Sequence, residues 1–469
     1  MRWRRCEQTP HGKEATLYQS FRNAITQSRQ HPDLYFSALL DEQTILNALG
    51  SASSLWQGWI YTPAVTIWVF LSQCLSPDHS CRDAVARLIA WRVVNGERPC
   101  SSKTGAYCTA RDALPEAACR QLVRETGQAL EDQAPADWHW HGRRVRVVDG
   151  TTITMSDTPE NQAEYPQHKA QRRGCGFPIA RVLVVFSLAV GTVMNASIRP
   201  CEGKQTGENS MFRQLHDMLH PGDVVLADRY FSGWFDLALL AQRGVDFVIR
   251  KHQLRATDFR RGVRLGHDDH RVHWRKPQRP EWMSPKEQAA LPEELVLREV
   301  RVRVTQRGFR SRLVVVVTSL LDAEEFPASE IAELYRRRWQ AELNLRSLKT
   351  VLQMDHLRCK TPHRVRNELW MHLLAYNQIR RIMALVALEV HRPPWHISFK
   401  GALQTLNHFL PLLASCMDPD AGCAALVECV ASHIVGNRPD RYEPRRVKRR
   451  PKPHKLLQQP RAEYKRRVA

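Results

Sequence analysis

The sequence predicts an α/β chain in which a mixed sheet with crossover helices is interrupted by a β-rich insertion and flanked by helical regions. Three observations carry this. Strand-like and helix-like runs alternate between residues 143 and 252, the order expected of an α/β layer. Apolar residues before 135 and after 327 recur at helical spacing. Residues 253–320 break the alternation, first with a polar stretch rich in Arg, His and Pro and then with two strand-like runs. The chain has 469 residues, and a single core rarely grows beyond about 250–300, so several units are expected. The boundaries suggested are 1–135 helical, 136–252 the first part of the sheet core, 253–320 the insertion, 321–360 the second part of the core, 361–435 helical, and 436–469 a basic tail.

The elements follow in order. Leu39, Leu40, Ile45, Leu46 and Leu49 keep a helical period, and Gly50 stands where a C-cap would. Further helical patterns run over 65–74, 84–93 and 117–130; Arg111 and Arg120 in this region either touch nucleic acid or are solvated surface. Residues 143–148 alternate, are β-branched and lead into Asp149-Gly150, read as the strand's end before a turn. The run 180–193 suits a buried strand or a hairpin, and 211–220 a helix. Pro221-Gly222 turns the chain into an apolar strand, 224–227, ending at Asp228. A helix over 234–242 and a strand over 246–250 follow. In the insertion, strand-like runs at 297–305 and 311–319 are joined by Gln306-Arg307-Gly308. Helix returns at Pro327, a residue tolerated at a helix start, and continues to about Leu352, then again over 363–389 and 399–433.

Composition narrows the function. Hydrophobic residues are 43% and charged residues 25%, ordinary for a globular chain and unlike a disordered or fibrous one. The net charge of +21 points to a polyanionic partner, nucleic acid above all. Nearly half of it lies in residues 436–469, with 13 Lys+Arg, 3 Asp+Glu and five prolines; this tail is expected to be extended or disordered when free and to bind phosphate. The twelve cysteines form no C-x-x-C pair, and Cys74, His79 and Cys81 lack a matching pair for zinc, so free thiols in a reducing cytoplasm are expected. Met1-Arg2-Trp3-Arg4-Arg5 is basic but no apolar segment follows, so no secretory signal is expected. The uncharged stretch 51–77 has an apolar run only at 65–71, too short for a membrane span; a buried helix is expected.

Three acidic residues stand apart. Asp149 and Asp228 each close an apolar strand, and strand ends at the rim of an α/β sheet are where sites gather. Neighbouring carboxylates there share hard divalent cations such as Mg²⁺ or Mn²⁺; either aspartate alone equally suits a turn or cap. On the helix beginning near 327, Tyr335, Arg338, Glu342 and Lys349 lie at offsets 0, 3, 7 and 14. At about 100° per residue they share one stripe about 21 Å long. A carboxylate flanked by cations and a phenol suits a phosphodiester beside a metal, or else an exposed face of ion pairs.

This pattern, Tyr335-x2-Arg338-x3-Glu342-x6-Lys349, resembles the Y-R-E-K signature of IS4-type DDE transposases of bacterial insertion sequences. Asp149 in Val-Val-Asp-Gly-Thr-Thr resembles the family's first aspartate, and Asp228 in Val-Val-Leu-Ala-Asp-Arg-Tyr-Phe the second. Phe247-Val-Ile-Arg250-Lys251 resembles the strand after it, and the likeness extends to the tail with Glu443-Pro-Arg-Arg-Val-Lys-Arg-Arg-Pro. The resemblance implies an RNase H-like core with its β-rich insertion between the second aspartate and the glutamate, and a DNA-binding role for residues 1–135. It implies that Asp149, Asp228 and Glu342 hold two Mg²⁺ ions, replaceable by Mn²⁺, and that Tyr335, Arg338, Lys349 and Arg250 grip DNA phosphates. In some relatives a flipped base stacks on an insertion tryptophan; Trp274 and Trp282 are the candidates, and an ordinary buried tryptophan is the alternative for each. The activity implied is cut-and-paste transposition: cleavage at terminal inverted repeats of double-stranded DNA and attack of the 3′-hydroxyl on target DNA, by a homodimer, in the bacterial cytoplasm at the nucleoid, with no membrane. The alternatives are an RNase H-like nuclease without strand transfer and a non-catalytic DNA-binding descendant.

Overall fold

In the computed structural model, the residues described are 40–56, 59–304, 312–413, 418–435 and 456–468. The basic N-terminal residues, Leu39 and most of the tail lie outside them.

The middle strand of the core is β1 (Val145–Met155). The hairpin β2 (Ile179–Ser187) and β3 (Val193–Pro200) lies antiparallel on one side of it. On the other side β4 (Val224–Ala227) and β5 (Asp246–Arg250) run parallel to it, giving the order β3-β2-β1-β4-β5. This is the mixed α/β sheet anticipated, with the 180–193 run resolved as a hairpin. A β-branched, buried stretch on both faces of β1, β2 and β4 is what a central strand covered by helices requires.

The insertion does not build a sheet of its own. Its strand β9 (Arg312–Thr318) pairs antiparallel with β5, and β8 (Glu294–Val304), β7 (Asp269–Arg275) and β6 (Val263–Gly266) continue outward, so one sheet runs through the core and the insertion. The β6–β7 hairpin falls in the stretch that looked merely polar. Its buried polar residues, Asp269 and His270, are matched from β8. Arg298 of β8, fully buried, grips Asp269 with Nε at 2.8 Å and Nη2 at 2.6 Å. Its third nitrogen donates to the Phe326 carbonyl at 2.7 Å, tying the insertion to the segment that leads back into the core. Glu299 accepts from Lys251 and Trp274.

Helices cover both faces. Before the sheet come α1 (Glu42–Leu49), α2 (Pro63–Leu75), α3 (Cys81–Val94), α4 (Gly105–Asp112) and α5 (Glu116–Asp132). Asp41 caps α1 through the Thr44 amide, and Gly50, with φ +52°, ends it where the sequence placed the C-cap. The uncharged stretch becomes α2, started by Thr62 and Pro63 and buried along nearly its whole length; no described helix is long and apolar enough to cross a membrane. Within the sheet region lie α6 (Pro159–Glu164), α7 (Glu208–Arg213), α8 (Trp234–Gln242) and α9 (Pro285–Ala289). The helix expected at 211–220 instead begins at Glu208 and gives way to a 3₁₀ turn at His216–Met218. After the insertion come α10 (Ala328–Arg337), α11 (Trp339–Arg346), α12 (Pro362–Glu389), α13 (Phe399–Leu413) and α14 (Pro419–Ser432).

One apolar cluster joins α2, α5, α12 and the face of the sheet bearing Val147, Val184 and Leu226; a second joins α7, α8 and the face bearing Val148, Val185, Ala227 and Ile249. The N-terminal helices are bonded directly to the central strand: buried Arg146 of β1 donates to both carboxylate oxygens of Glu131 on α5, each at 2.6 Å. Arg111 is neither surface nor free for DNA. It is buried, over the Phe70 ring at 3.8 Å, donating to Gln73 and to the Cys81 and Cys359 thiols. The end of the tail is not extended as expected. It forms α15 (Arg461–Val468), a run of good helix formers, preceded by a segment whose Gln458 carbonyl accepts from Arg172 at 3.2 Å.

Candidate active site

The site is a notch in the sheet. β4 accompanies β1 only over Val145, Arg146 and Val147 and ends at Ala227. On that side the next neighbour of β1 is the short β10 (His356–Leu357), paired at Thr154 and Met155. The edge of β1 between these neighbours is open. Asp149 therefore does not end its strand, as the sequence suggested. Thr-Thr-Ile-Thr after Gly150 are β-formers and stay paired with β2 through Thr154. Asp149 reaches the rim because its neighbour stops, not because its own strand does.

Asp228 is the residue that follows β4, level with Asp149 by the register of the two strands. Its Oδ1 accepts from the Tyr230 amide at 2.8 Å and caps the 3₁₀ turn Arg229–Phe231. Glu342 comes from α11 on the face that Asp149 addresses. The helical segment expected from Pro327 to Leu352 is present but subdivided: α10 and α11 meet at Arg338, and a π-helical turn, Ser347–Val351, follows.

Arg338 sits between the carboxylates. Its Nη2 donates to Glu342 Oε1 at 2.8 Å, and its Nη1 lies 3.9 Å from Asp149 Oδ2. Burial alone would weaken the guanidinium's hold on its proton, but Tyr335, Glu342 and Asp149 more than offset this and raise it. Asp149 shows the opposite strain. Burial pushes its carboxyl up to about 6; Arg338 and the Gly150 amide at 2.9 Å pull against this, while Glu342 and Asp228 add repulsion. All three acids thus share one field. Among the described residues no set of three His, Cys, Asp or Glu side chains is spaced to grasp an ion as it stands. The donors are nevertheless hard oxygens, and a cation, the Arg338 guanidinium, already bridges two of them. The residues fit a divalent metal.

Tyr335 is 8% exposed; burial pushes its phenol up, and Arg338, Arg250 and Asp228 act on it. Tyr335, Arg338, Arg250 and the three acids are therefore together. Lys349 follows on the next turns of the same helical segment. It lies in the π turn, which shifts the phase of the stripe, and lines a second cleft with His79, Asp355, His356, Arg358 and Glu368, about 10 Å along the helix from Glu342. Trp274 offers no open ring for a base: it is 7% exposed, under Arg255 at 4.1 Å, with its indole N–H on Glu299. Trp282 is 37% exposed with Arg213 over its ring at 3.7 Å.

Glu208 went unnoticed in the sequence and stands at the notch. The one signal for it is Gly150, a glycine inside a paired strand rather than in a turn.

A mixed sheet with acids at the rim of its first and fourth strands is the arrangement expected of a DDE-class enzyme. The profile of the Transposase DDE domain family matches residues 140–378, and the chain belongs to that family. It is accordingly an enzyme of DNA transposition that depends on divalent metal. It is similar to the transposase InsG for insertion sequence element IS4 of Escherichia coli (strain K12), with 27% identity over 381 residues and 79% of each chain covered. Two further relatives share 40% identity over 62 residues, covering 13% of this chain and 16% of theirs: the putative transposase InsL for insertion sequence element IS186A of E. coli (strain K12), and the transposase for insertion sequence element IS421 of E. coli.

Proposed function

We propose that this chain is an IS4-type cut-and-paste transposase whose Asp149, Asp228 and Glu342 hold two divalent ions, Mg²⁺ by preference and Mn²⁺ in its place. The observation that carries the reading is the convergence of the three carboxylates with Arg338 standing among them as a counter-cation. When bound, the metal pair supplies an activated water or 3′-hydroxyl for in-line attack and stabilisation of the leaving oxygen.

The chain's own residues do the rest. Asp149 must be deprotonated to accept a cation. Arg338 exchanges its carboxylate partners for a DNA phosphate, a bidentate acceptor of equal fit. Tyr335, its phenol kept protonated, donates to the same backbone, and Arg250 extends the grip from the end of β5. Lys349, with Arg358 beside it in the second cleft, holds the duplex further along. The DNA is double-stranded: the element's terminal inverted repeats first, target DNA after. The N-terminal region 1–135 binds DNA, the core spans 136–252 and 321–360 around the insertion 253–320, and the region 361–435 and the tail 436–469 complete the grip. A homodimer pairs the two ends, in the cytoplasm at the nucleoid.

The test is cleavage and joining of DNA carrying the element's ends, with purified protein and Mg²⁺. Asp149→Asn, Asp228→Asn and Glu342→Gln are each expected to abolish both products. Variants that cut as well as the unaltered chain overturn the assignment, and cutting without strand-transfer products favours a nuclease.

A further inference from the structure

We infer that Glu208 is a fourth carboxylate of the metal site, reaching it from the face of the sheet opposite Glu342; this rests on reading Asp149, Asp228 and Glu342 as the metal-holding acids. Gly150 is paired with Leu183 inside the sheet and does not have a positive φ, so its conformation does not demand glycine. Space does. A Cβ at position 150 would lie 2.4 Å from Glu208 Oε1 and 2.5 Å from its Cδ. The Glu208 carboxylate thus rests on the backbone of the residue next to Asp149, in the place a side chain would take.

Side chains alternate along a strand. Asp149 therefore addresses α11 and Gly150 the other face, where α7 carries Glu208 above Met211 and Phe212. At an ordinary position the sheet would separate the two faces. Here the edge of β1 is open beyond the end of β4, and Asp228, level with Asp149, lies within electrostatic reach of an acid on either face. The charge of Asp228 acts on Asp149 and on Glu208 alike.

Within the fold Glu208 has one distant ion-pair partner, Arg181, and no hydrogen-bond donor among the described residues. Arg181 Nε is 4.0 Å away, beyond a hydrogen bond. Arg181 is itself engaged, donating to the Thr206 carbonyl at 2.9 Å, and so anchors the turn that presents Glu208. A half-buried carboxylate without a donor costs free energy unless a cation meets it. Four carboxylates also balance two divalent ions, where three leave part of the charge to the DNA phosphate.

The test uses the full-length, metal-free chain titrated with Mn²⁺ alone, with free Mn²⁺ read by electron paramagnetic resonance and melting recorded in EDTA. Glu208→Gln is expected to raise the Kd roughly tenfold or more without lowering the melting temperature. Gly150→Ala keeps the carboxylate but pushes it out of place, and is expected to act in the same direction. Wild-type affinity in Glu208→Gln overturns the inference; should that variant melt early, Gly150→Ala decides by the same criterion. Asp149→Asn separates the two readings. If it loses Mn²⁺ while Glu208→Gln does not, only the fourth carboxylate falls. If it binds as the wild type does, or the wild type binds no Mn²⁺, the three-acid reading falls and this inference with it.

Discussion

Asp149 is held at a cost in the metal-free chain. Burial pushes its carboxyl up to about 6 from an ordinary 3.8, so the folded protein binds the proton more tightly than the unfolded one does. Stability then declines as pH rises from about 4 to 6 and stays lowered above. With the side chain only 22% exposed, this rise corresponds to at most about 3 kcal/mol. Asp149→Asn is therefore expected to melt higher than the wild type in EDTA at pH 7.5, and to lose that advantage at pH 4. A lower melting temperature at pH 7.5 contradicts the account. The same titration predicts that Mn²⁺ affinity climbs between pH 5 and 7 as proton and metal compete, then levels off. Arg338 competes for the same acids: Arg338→Ala is expected to bind Mn²⁺ more tightly and DNA more weakly, measured by metal titration and by electrophoretic shift.

Elements decide what a sequence reveals of such a site. Tyr335, Arg338 and Glu342 were readable as one stripe because α-helical periodicity survives the junction at Arg338, where the backbone remains helical. Lys349 follows in a π turn, a feature that helical periodicity in a sequence does not reveal. Asp149 and Asp228 stood out as acids beside apolar runs, yet the continuation of β1 depends on pairing with β2, a partner no local pattern reveals. Glu208 was hidden for a similar reason: its contact with Gly150 crosses from a helix to a strand. The β6–β7 hairpin is hard to read because its buried polar residues, Asp269 and His270, are matched by Arg298 and Glu299 on β8, while Arg264 and Arg275 stay in solvent. That matching can be tested. Arg298→Ala leaves Asp269 buried and uncompensated, and such a break costs about 3–5 kcal/mol. A sharply lower melting temperature is expected, with much of it recovered when Asp269 is made Leu as well. A melting temperature unmoved by Arg298→Ala would show that the ion pair does not secure the insertion.

At the scale of the molecule, one sheet carries Asp149, Asp228, the insertion and the buried arginines that tie it to its surroundings. Arg146 joins β1 to α5, three residues from Asp149, so a disturbance of the N-terminal helices reaches the site through a buried ion pair. The charge excess belongs to this scale also. Deleting residues 437–469 is expected to flatten the dependence of log K for DNA on log salt, and an unchanged slope removes the tail from the interface. The central claim is that acids from two strands and a helix close on metal in one notch. Diffraction from Mn²⁺-soaked crystals at the manganese edge tests it most directly. The account predicts anomalous peaks bonded to Asp149, Asp228 and Glu342, with Arg338 swung away from Glu342. Crystals saturated with Mn²⁺ that show no peak in the notch, with Arg338 still on Glu342, would contradict it.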